Sequence, residues 1–191
     1  WLADGSMLVV DTTNNRIRKI APGGTITTIA GTGAASFGGD GGPARFAMLN
    51  SPRDIDVAAD GVTIYFADYA NQRIRKIDAA GIITTVVNTS GVASSSGDLG
   101  PAGSATINAP MGIALAANGD LYIAEYGGNR VRRVLADGSG QITPLSTIET
   151  IAGNSGVAGF AGDLGPAFGA RLNGPYDVLA MPGGRLLISD F

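Results

Sequence analysis

Six residues of this sequence combine reactive or polar side chains with positions that differ from one copy of an internal repeat to the next. They open three short segments, "RDID", "MGIA" and "YDVL", each of which directly follows a proline. The six residues are Arg53, Asp54, Asp56, Met111, Tyr176 and Asp177. Carboxylates gathered at one place could hold Ca²⁺ or orient a polar ligand. Carboxylates solvated at strand ends are the alternative, which the ordinary occurrence of aspartate at turns favours.

Acidic and basic residues also recur together at a constant interval. The stretch "DTTNNRIRKI" returns twice, at equal spacing, first as "DYANQRIRKI" and then as "EYGGNRVRRV". The acidic residue of each copy and its first arginine are Asp11 and Arg16, Asp68 and Arg73, and Glu125 and Arg130. A row of such arginines could meet phosphates or an acidic partner. We favour a structural interpretation, in which each acidic residue pairs with that first arginine across a hairpin, because identical residues in every copy serve stacking.

Three glycine-rich segments, "GDGGPA", "GDLGPA" and "GDLGPA", carry Asp40, Asp98 and Asp163. They lack the lysine of a phosphate-binding loop and the alternating acidic residues of an EF-hand. An aspartate three residues before a proline is typical of a helix start. We therefore expect capped helical turns that bridge neighbouring repeats.

The composition excludes several classes of chemistry. Cysteine and histidine are both absent, so disulfides, thiol nucleophiles, His-based triads and the usual zinc sites are excluded. The net charge of −3 and a pI of about 4.8 argue against general affinity for nucleic acid. No apolar window of about 18 residues predicts a membrane span. We assign no catalytic residue.

The repeats themselves read as four short strands each. In the second copy these are "DIDVAA", "TIYFAD", "RIRKID" and "IITTVV", separated by glycine- or asparagine-containing turns. Ile64 and Phe66 would lie on one face of the sheet, and Tyr65 and Ala67 on the other, so both faces need cover. Stacking such sheets around an axis provides that cover, which predicts an all-β fold, a β-propeller of four-stranded antiparallel blades.

One domain, residues 1–191, accounts for the whole sequence. Residues 53–88 and 111–152 each supply a complete blade, whereas residues 1–30 and 176–191 supply partial blades. About thirteen strands result, or about 3¼ blades, whereas closed propellers have 4–8. We expect either a fragment or one half of an oligomer, with self-association through open blade faces.

The pattern "P-x-x-I-x-V…DG-x-x-Y-x-AD…N-x-R-I-R-K-I" resembles the NHL repeat, over essentially the whole sequence. The "IAGTG…GGDGGPA…LN-x-P" connection is similar to the long-linker variety of bacterial proteins. The resemblance implies a ring of the six-bladed class, and we expect a bacterial protein that is extracellular or periplasmic. NHL propellers include protein-binding, RNA-binding, sensor and adhesion modules, and are similar to lyase and hydrolase propellers.

Three functions follow as hypotheses. The leading one is a non-enzymatic scaffold that binds a protein or a small ligand, without a cofactor other than, on weak grounds, Ca²⁺. The second is part of a propeller lyase or hydrolase that uses carboxylates such as Asp54 and Asp177 or a bound metal, since histidine-dependent lyase chemistry is excluded for this segment. The third is RNA binding through the strands that carry the repeated arginines Arg16, Arg73 and Arg130, which we call the arginine strands. The negative net charge of the chain disfavours this function.

Overall fold

A computed structural model describes residues 1–191 and contains thirteen β-strands and no α-helix. The strands are β1 (Met7–Asp11), β2 (Arg16–Ile20), β3 (Ile26–Ala30), β4 (Pro52–Val57), β5 (Ile64–Asp68), β6 (Arg73–Ile77), β7 (Ile83–Val87), β8 (Pro110–Leu115), β9 (Leu121–Glu125), β10 (Arg130–Val134), β11 (Ile148–Ala152), β12 (Asp177–Met181) and β13 (Arg185–Ser189). Short 3₁₀ turns lie at Thr12–Asn14, Ala44–Phe46, Tyr69–Asn71 and Ala167–Gly169. Antiparallel pairing in chain order gives four sheets, which are β1–β3, β4–β7, β8–β11 and β12–β13.

Both faces of each complete sheet are apolar, and each face packs against a neighbouring sheet. Phe66 packs in a cluster with Ile17 of the first sheet. The preceding residue, Tyr65, lies on the opposite face of the second sheet and belongs to a cluster with Ile123 of the third sheet. A third cluster, which includes Val178, joins the third and fourth sheets. The alternation that the sequence predicts is thus confirmed, and it produces the face-to-face stacking of a propeller.

The long connections between sheets protect the outer edges. We call them strap 1 (residues 38–48), strap 2 (96–106) and strap 3 (161–171), each of which is closed by a β-bridge between its ends. Strap 1 follows the first sheet but pairs with β7 of the second, where the Gly41 N–H donates to the Ile83 carbonyl at 2.8 Å. Strap 2 covers β11 in the same way, through the Leu99 N–H and the Ile148 carbonyl at 2.7 Å. A covered edge strand has fewer free backbone groups with which to pair with other chains.

Side-chain amides fix where the first strand of the second, third and fourth sheets begins. We call these strands, β4, β8 and β12, the inner strands. An Asn or Gln with a left-handed backbone lies in the turn between β1 and β2, in that between β5 and β6 and in that between β9 and β10. Its side-chain oxygen accepts a backbone N–H just before the inner strand of the next sheet. The pairs are Asn15 with Ser51 (2.8 Å), Gln72 with Ala109 (2.6 Å) and Asn129 with Gly174 (2.9 Å). The three inner strands β4, β8 and β12 are therefore held in the same relative position.

The residues that lengthen the third repeat fold back onto the second sheet. Ile142, in the connection between β10 and β11, is fully buried in the core cluster that contains Tyr65. Its N–H donates to the Tyr65 hydroxyl at 3.1 Å. The insertion therefore ties the second and third sheets together at the end of the sheets away from the prolines.

The four sheets do not close into a ring, so the chain is a partial propeller with two complete and two partial sheets. The predicted all-β class and the strand count are confirmed. The six-bladed ring stays a prediction. The chain contains no helix with the length and hydrophobicity needed to span a bilayer.

Gly112→Ala is expected to loosen the fourth sheet. A Cβ at this position would lie 2.6 Å from the Asp177 Cα and 2.9 Å from the Tyr176 carbonyl oxygen, which are backbone atoms that cannot rotate away. The third and fourth sheets would have to separate, at a cost of about 1–3 kcal/mol. Urea unfolding should show this loss, whereas Gly138→Ala, where a Cβ meets nothing within 4 Å, should cost far less. Equal unfolding midpoints for the two variants would contradict the prediction.

Candidate functional site

A cavity of about 260 Å³ opens at the proline ends of the inner strands. Its lining residues are Thr12, Arg53, Asp54, Met111, Gly112, Tyr176 and Asp177. We call it the channel-mouth cavity. The structure thus brings five of the six sequence-predicted residues together, because the amide contacts hold β4, β8 and β12 in matching positions. The sixth, Asp56, does not line the cavity.

Asp54 and Asp56 tie neighbouring inner strands together. One oxygen of Asp54 accepts the Ile113 N–H of β8 at 2.7 Å, and one oxygen of Asp56 accepts the Leu115 N–H at 2.8 Å. The other oxygen of each accepts the N–H of the next residue in its own strand, at 2.8 Å in both cases. These carboxylates are therefore not the solvated strand ends that aspartate statistics favoured. They link the second sheet to the third.

Other polar groups of the cavity are not used by the fold. The Arg53 guanidinium lies over the Tyr69 ring, 5.0 Å from its centroid, and forms no ion pair. Asp177 uses one oxygen to accept the Val178 N–H at 2.8 Å, and its second oxygen has no partner. The Tyr176 side chain is half-exposed, and its hydroxyl makes no hydrogen bond within the chain. A cation, an anion and a phenol are therefore available to a ligand.

Burial raises the pKa of Asp54 from 3.8 to about 6. The N–H groups of Ile113 and Ile55 lower this pKa, but by less than burial raises it, and the charges of Asp177 and Asp56 raise it further. Between pH 4 and 6 the folded chain therefore binds more protons at Asp54 than the unfolded chain does. The stability contributed by this group declines as the pH rises through that window and is lowest above it.

The residues do not form a metal centre. No group of three or more carboxylates with a geometry suited to a metal ion occurs in the chain. Asp56 faces the Leu115 N–H, so the three inner-strand carboxylates do not converge. The calcium hypothesis gains no support from this arrangement.

The second arginine of each repeat, and not the expected first one, pairs with the acidic residue. Arg75 lies 3.2 Å from Asp68, and the equivalent pairs Arg132 with Glu125 and Arg18 with Asp11 each lie at 3.4 Å. The first arginine instead reaches along the strand to backbone carbonyls. Arg73 donates to the carbonyls of Asn71 (2.8 Å) and Thr89 (3.0 Å), and Arg16 donates to those of Asn14 (3.0 Å) and Thr32 (2.7 Å). Arg130 likewise donates to the Gly128 carbonyl at 3.3 Å.

In straps 1 and 2 the aspartates complete these ion pairs instead of capping helical turns, whereas Asp163 of strap 3 forms neither contact. The 3₁₀ turns Ala44–Phe46 and Ala167–Gly169 exist in straps 1 and 3, but neither has a side-chain cap. Asp40 pairs with Arg75 at 2.7 Å, and Asp98 pairs with Arg132 at 2.6 Å. The expected cap is therefore wrong, since a buried guanidinium attracts the carboxylate more strongly than a short turn does.

Burial of these pairs is costly for the carboxylates. Burial raises the pKa of Asp68, and it raises that of Glu125 from 4.5 to about 7, although Arg132 and the hydrogen bonds from Ser95 and Asn108 lower it. The arginines of these two pairs, Arg75 and Arg132, are fully buried. The pairs therefore fix the geometry of the sheets more than they contribute free energy.

The sequence did not identify Thr12 and Gly112 as cavity residues. It also did not identify the Asn and Gln residues whose side-chain oxygens position the inner strands. Asn15, Gln72 and Asn129 recur at the same constant interval as the arginines that follow them, which is a signal that could have found them. Gly112 lies two residues after its proline, where the inner strands of the second and fourth sheets carry Asp54 and Asp177, and this departure is also detectable in the sequence.

Part of the chain matches a known protein family. Residues 31–99, which contain strap 1, the whole second sheet and the start of strap 2, match the family model of the teneurin NHL domain. Teneurin-1 of Gallus gallus is 44% identical over 75 residues, which are 36% of this chain and 3% of that protein. Teneurin-4 of Homo sapiens is 40% identical over 73 residues, 33% of this chain and 3% of that protein. The chain thus spans only a few per cent of these curated relatives.

Solved structures match nearly the whole chain. A protein of unknown function from Bacteroides thetaiotaomicron superposes with a TM-score of 0.70 and 22% identity, over 97% of this chain and 42% of that one. An auxiliary nutrient binding protein from the same organism gives 0.68 and 16%, over 98% and 43%. Virginiamycin B lyase from Staphylococcus aureus gives 0.56 and 18%, over 98% and 46%. At these identities the likeness shows the fold, and the chain spans less than half of each structure.

The stacked antiparallel sheets and the cavity at the inner-strand ends define a segment of a β-propeller. The segment that matches the NHL family model, residues 31–99, lies within this fold, and the solved structures show the same propeller fold for the rest of the chain.

Carbon-detected NMR titration of the carboxyl groups should give Asp54 a pKa of about 6. Asp177→Asn removes a nearby negative charge and should lower that pKa. Asp137→Asn removes an exposed charge in the connection between β10 and β11, and should leave the Asp54 pKa unchanged. A titration of Asp54 below pH 4 in the unmodified chain would show that burial does not control this carboxyl.

Proposed function

We propose that the chain is a non-enzymatic binding segment of an NHL-repeat propeller, and that it contacts a protein or a small polar ligand at the channel-mouth cavity. The observation that carries the proposal is convergence. Residues at the start of three inner strands from three sheets, Arg53, Met111, Tyr176 and Asp177, line one cavity, and these positions vary between repeats that share their arginines, turns and prolines. Variation confined to one end of an otherwise periodic scaffold is typical of a binding surface.

The lining suits a ligand that carries both donors and acceptors. Arg53 offers a guanidinium without an ion-pair partner, and Asp177 offers a carboxylate oxygen without one. Met111 and the Tyr176 ring add apolar contact area. A volume of about 260 Å³ lies just below the usual range for small-molecule pockets of about 300–1,000 Å³. A zwitterionic small molecule, or a charged side chain at the tip of a partner's loop, fits these properties.

The raised pKa of Asp54 is the one observation that favours the lyase or hydrolase alternative, because a value near 6 is typical of a general acid. However, both oxygens of Asp54 already accept backbone N–H groups of β4 and β8. A carboxyl tied in this way supports the sheets and is poorly placed to transfer a proton to a ligand. This supports the binding function over the enzymatic one.

The contacts of the arginine strands also disfavour RNA binding. Arg75 and Arg132 are fully buried, and Arg73 is buried against the carbonyls of its own sheet. Phosphate contacts need exposed cations, and three of the seven arginines in β2, β6 and β10 are buried.

A panel of amino acids, dipeptides, polyamines and saccharides, screened by thermal shift and then by isothermal titration calorimetry, tests the proposal. Arg53→Gln and Asp177→Asn should each weaken a bound ligand by about tenfold, since each removes one charge-assisted hydrogen bond. The matched controls are Arg45→Gln and Asp137→Asn, which remove exposed charges of the same sign away from the cavity. Ligands that bind the double cavity variant with full affinity would place the binding surface elsewhere and contradict the proposal.

A further inference from the structure

A second cavity, of about 390 Å³, opens between the first and second sheets at the end away from the prolines. Leu2, Lys19 and Ile29 line it on the side of the first sheet. Ile64 and Ile77 line it on the side of the second sheet. Apolar side chains dominate the lining, and we call this space the apolar cavity. It shares no lining residue with the channel-mouth cavity.

The junction between the second and third sheets contains the same site at the same end. Lys76 holds the place in β6 that Lys19 holds in β2, and the other lining positions correspond in the same way. In this junction the site is filled, because Ile142 from the connection between β10 and β11 is fully buried there. The apolar residues at the corresponding positions, which share a core cluster with Ile142, are Ala58, Val86, Leu121 and Val134.

Polar contacts hold the backbone of the filling segment. The Ile142 carbonyl accepts from the Lys76 Nζ at 3.3 Å, and the Ile142 N–H donates to the Tyr65 hydroxyl at 3.1 Å. The same hydroxyl donates to the Gln141 side-chain oxygen at 3.4 Å. The chain therefore fills this site with an aliphatic side chain whose own carbonyl accepts from a lysine.

The apolar cavity stays open because the connection beside it is short. Only residues 78–82 join β6 to β7, whereas residues 135–147 join β10 to β11. Lys19 pairs with the exposed Asp4 at 2.6 Å. Since an ammonium group has three donors, Lys19 can keep this ion pair and also donate to a carbonyl within the cavity.

We propose that the apolar cavity binds a loop of a partner protein, which inserts an aliphatic side chain and presents the carbonyl of the same residue to Lys19. The segment Gly140–Thr143, which fills the neighbouring junction, shows the chemistry of the expected loop. A volume of about 390 Å³ lies within the usual range of about 300–1,000 Å³ for ligand pockets. Val62, which is 44% exposed, adds apolar contact area to the lining.

The charges of the lining favour a neutral loop over an anionic apolar ligand. Asp4 and Asp78 both line the cavity. The one cation in the lining, Lys19, is already paired with Asp4. A fatty acid would bring its carboxylate near two like charges, which is unfavourable, whereas an uncharged loop meets no such repulsion.

A capped peptide with the sequence of residues 139–144, Ser-Gly-Gln-Ile-Thr-Pro, is the probe. Titrated into the isotope-labelled 191-residue protein, it should shift the methyl NMR signals of Ile29, Ile64 and Ile77 and saturate with a Kd of about 1 mM. Ile142→Ser in the peptide removes the aliphatic group and should weaken binding by about tenfold or more.

Two variants of the protein test the lining. Lys19→Met removes the donor for the peptide carbonyl and should weaken binding by about fivefold. Val62→Asp replaces apolar contact area with a charge and should also weaken binding. The matched control is Val92→Asp, because Val92 is 55% exposed and does not line the cavity. Thermal unfolding of each variant checks that it remains folded.

Three results would overturn the proposal. The first is the absence of saturable shifts at about 5 mM peptide, or equal affinity for the isoleucine and serine peptides. The second is a set of shifts confined to Val86 and Leu121, which would show that the peptide only displaces the chain's own insertion. The third uses octanoate as a second probe. If octanoate shifts Ile29 and Ile64 at lower concentration than the peptide does, the cavity binds a small apolar molecule and not a partner's loop.

Discussion

The buried guanidinium shared by two carboxylates is the interaction on which the arrangement of the sheets depends. One carboxylate, such as Asp68, ends the second strand of the same sheet, and the other, such as Asp40, comes from the strap that leaves the preceding sheet. Removing a charge from water costs several kcal/mol unless every donor finds an acceptor. The terminal nitrogens of Arg75 find their four acceptors only when strap, strand end and neighbouring sheet meet in one geometry, although its buried Nε has no partner.

This requirement explains two features of the sequence that look independent. The "D…RIR" stretch and the "GDxGPA" stretch recur out of phase with each other because they meet across the junction between two sheets. The high pKa of Glu125 shows that the burial is costly for the carboxylate, so the pair serves mainly to specify one packing. Apolar contacts between the sheets, such as those around Tyr65 and Ile123, supply the favourable free energy.

The periodic residues also hold the proline ends of the inner strands in position. Side-chain oxygens such as that of Gln72 accept a backbone N–H just before each inner strand. The residues that follow the prolines therefore lie side by side at the same end of the stacked sheets. Asp54 adds a direct tie between β4 and β8. A cavity built on rigid strands can hold different side chains in each repeat without loss of the fold, which is why variable residues gather there.

The sequence by itself determined the strands, their alternation and the propeller class. Period-two patterns such as Ile64 to Ala67 and a constant repeat interval need no tertiary information to be recognised. It also located five of the cavity residues, because variable positions at repeat boundaries stand out. Only the tertiary structure decided which arginine pairs with which carboxylate, since Arg73 and Arg75 lie two residues apart on the same strand face. It also decided that Asp40 binds a guanidinium and that Asp54 joins two sheets, because both contacts cross between segments that the sequence separates by 35 residues or more.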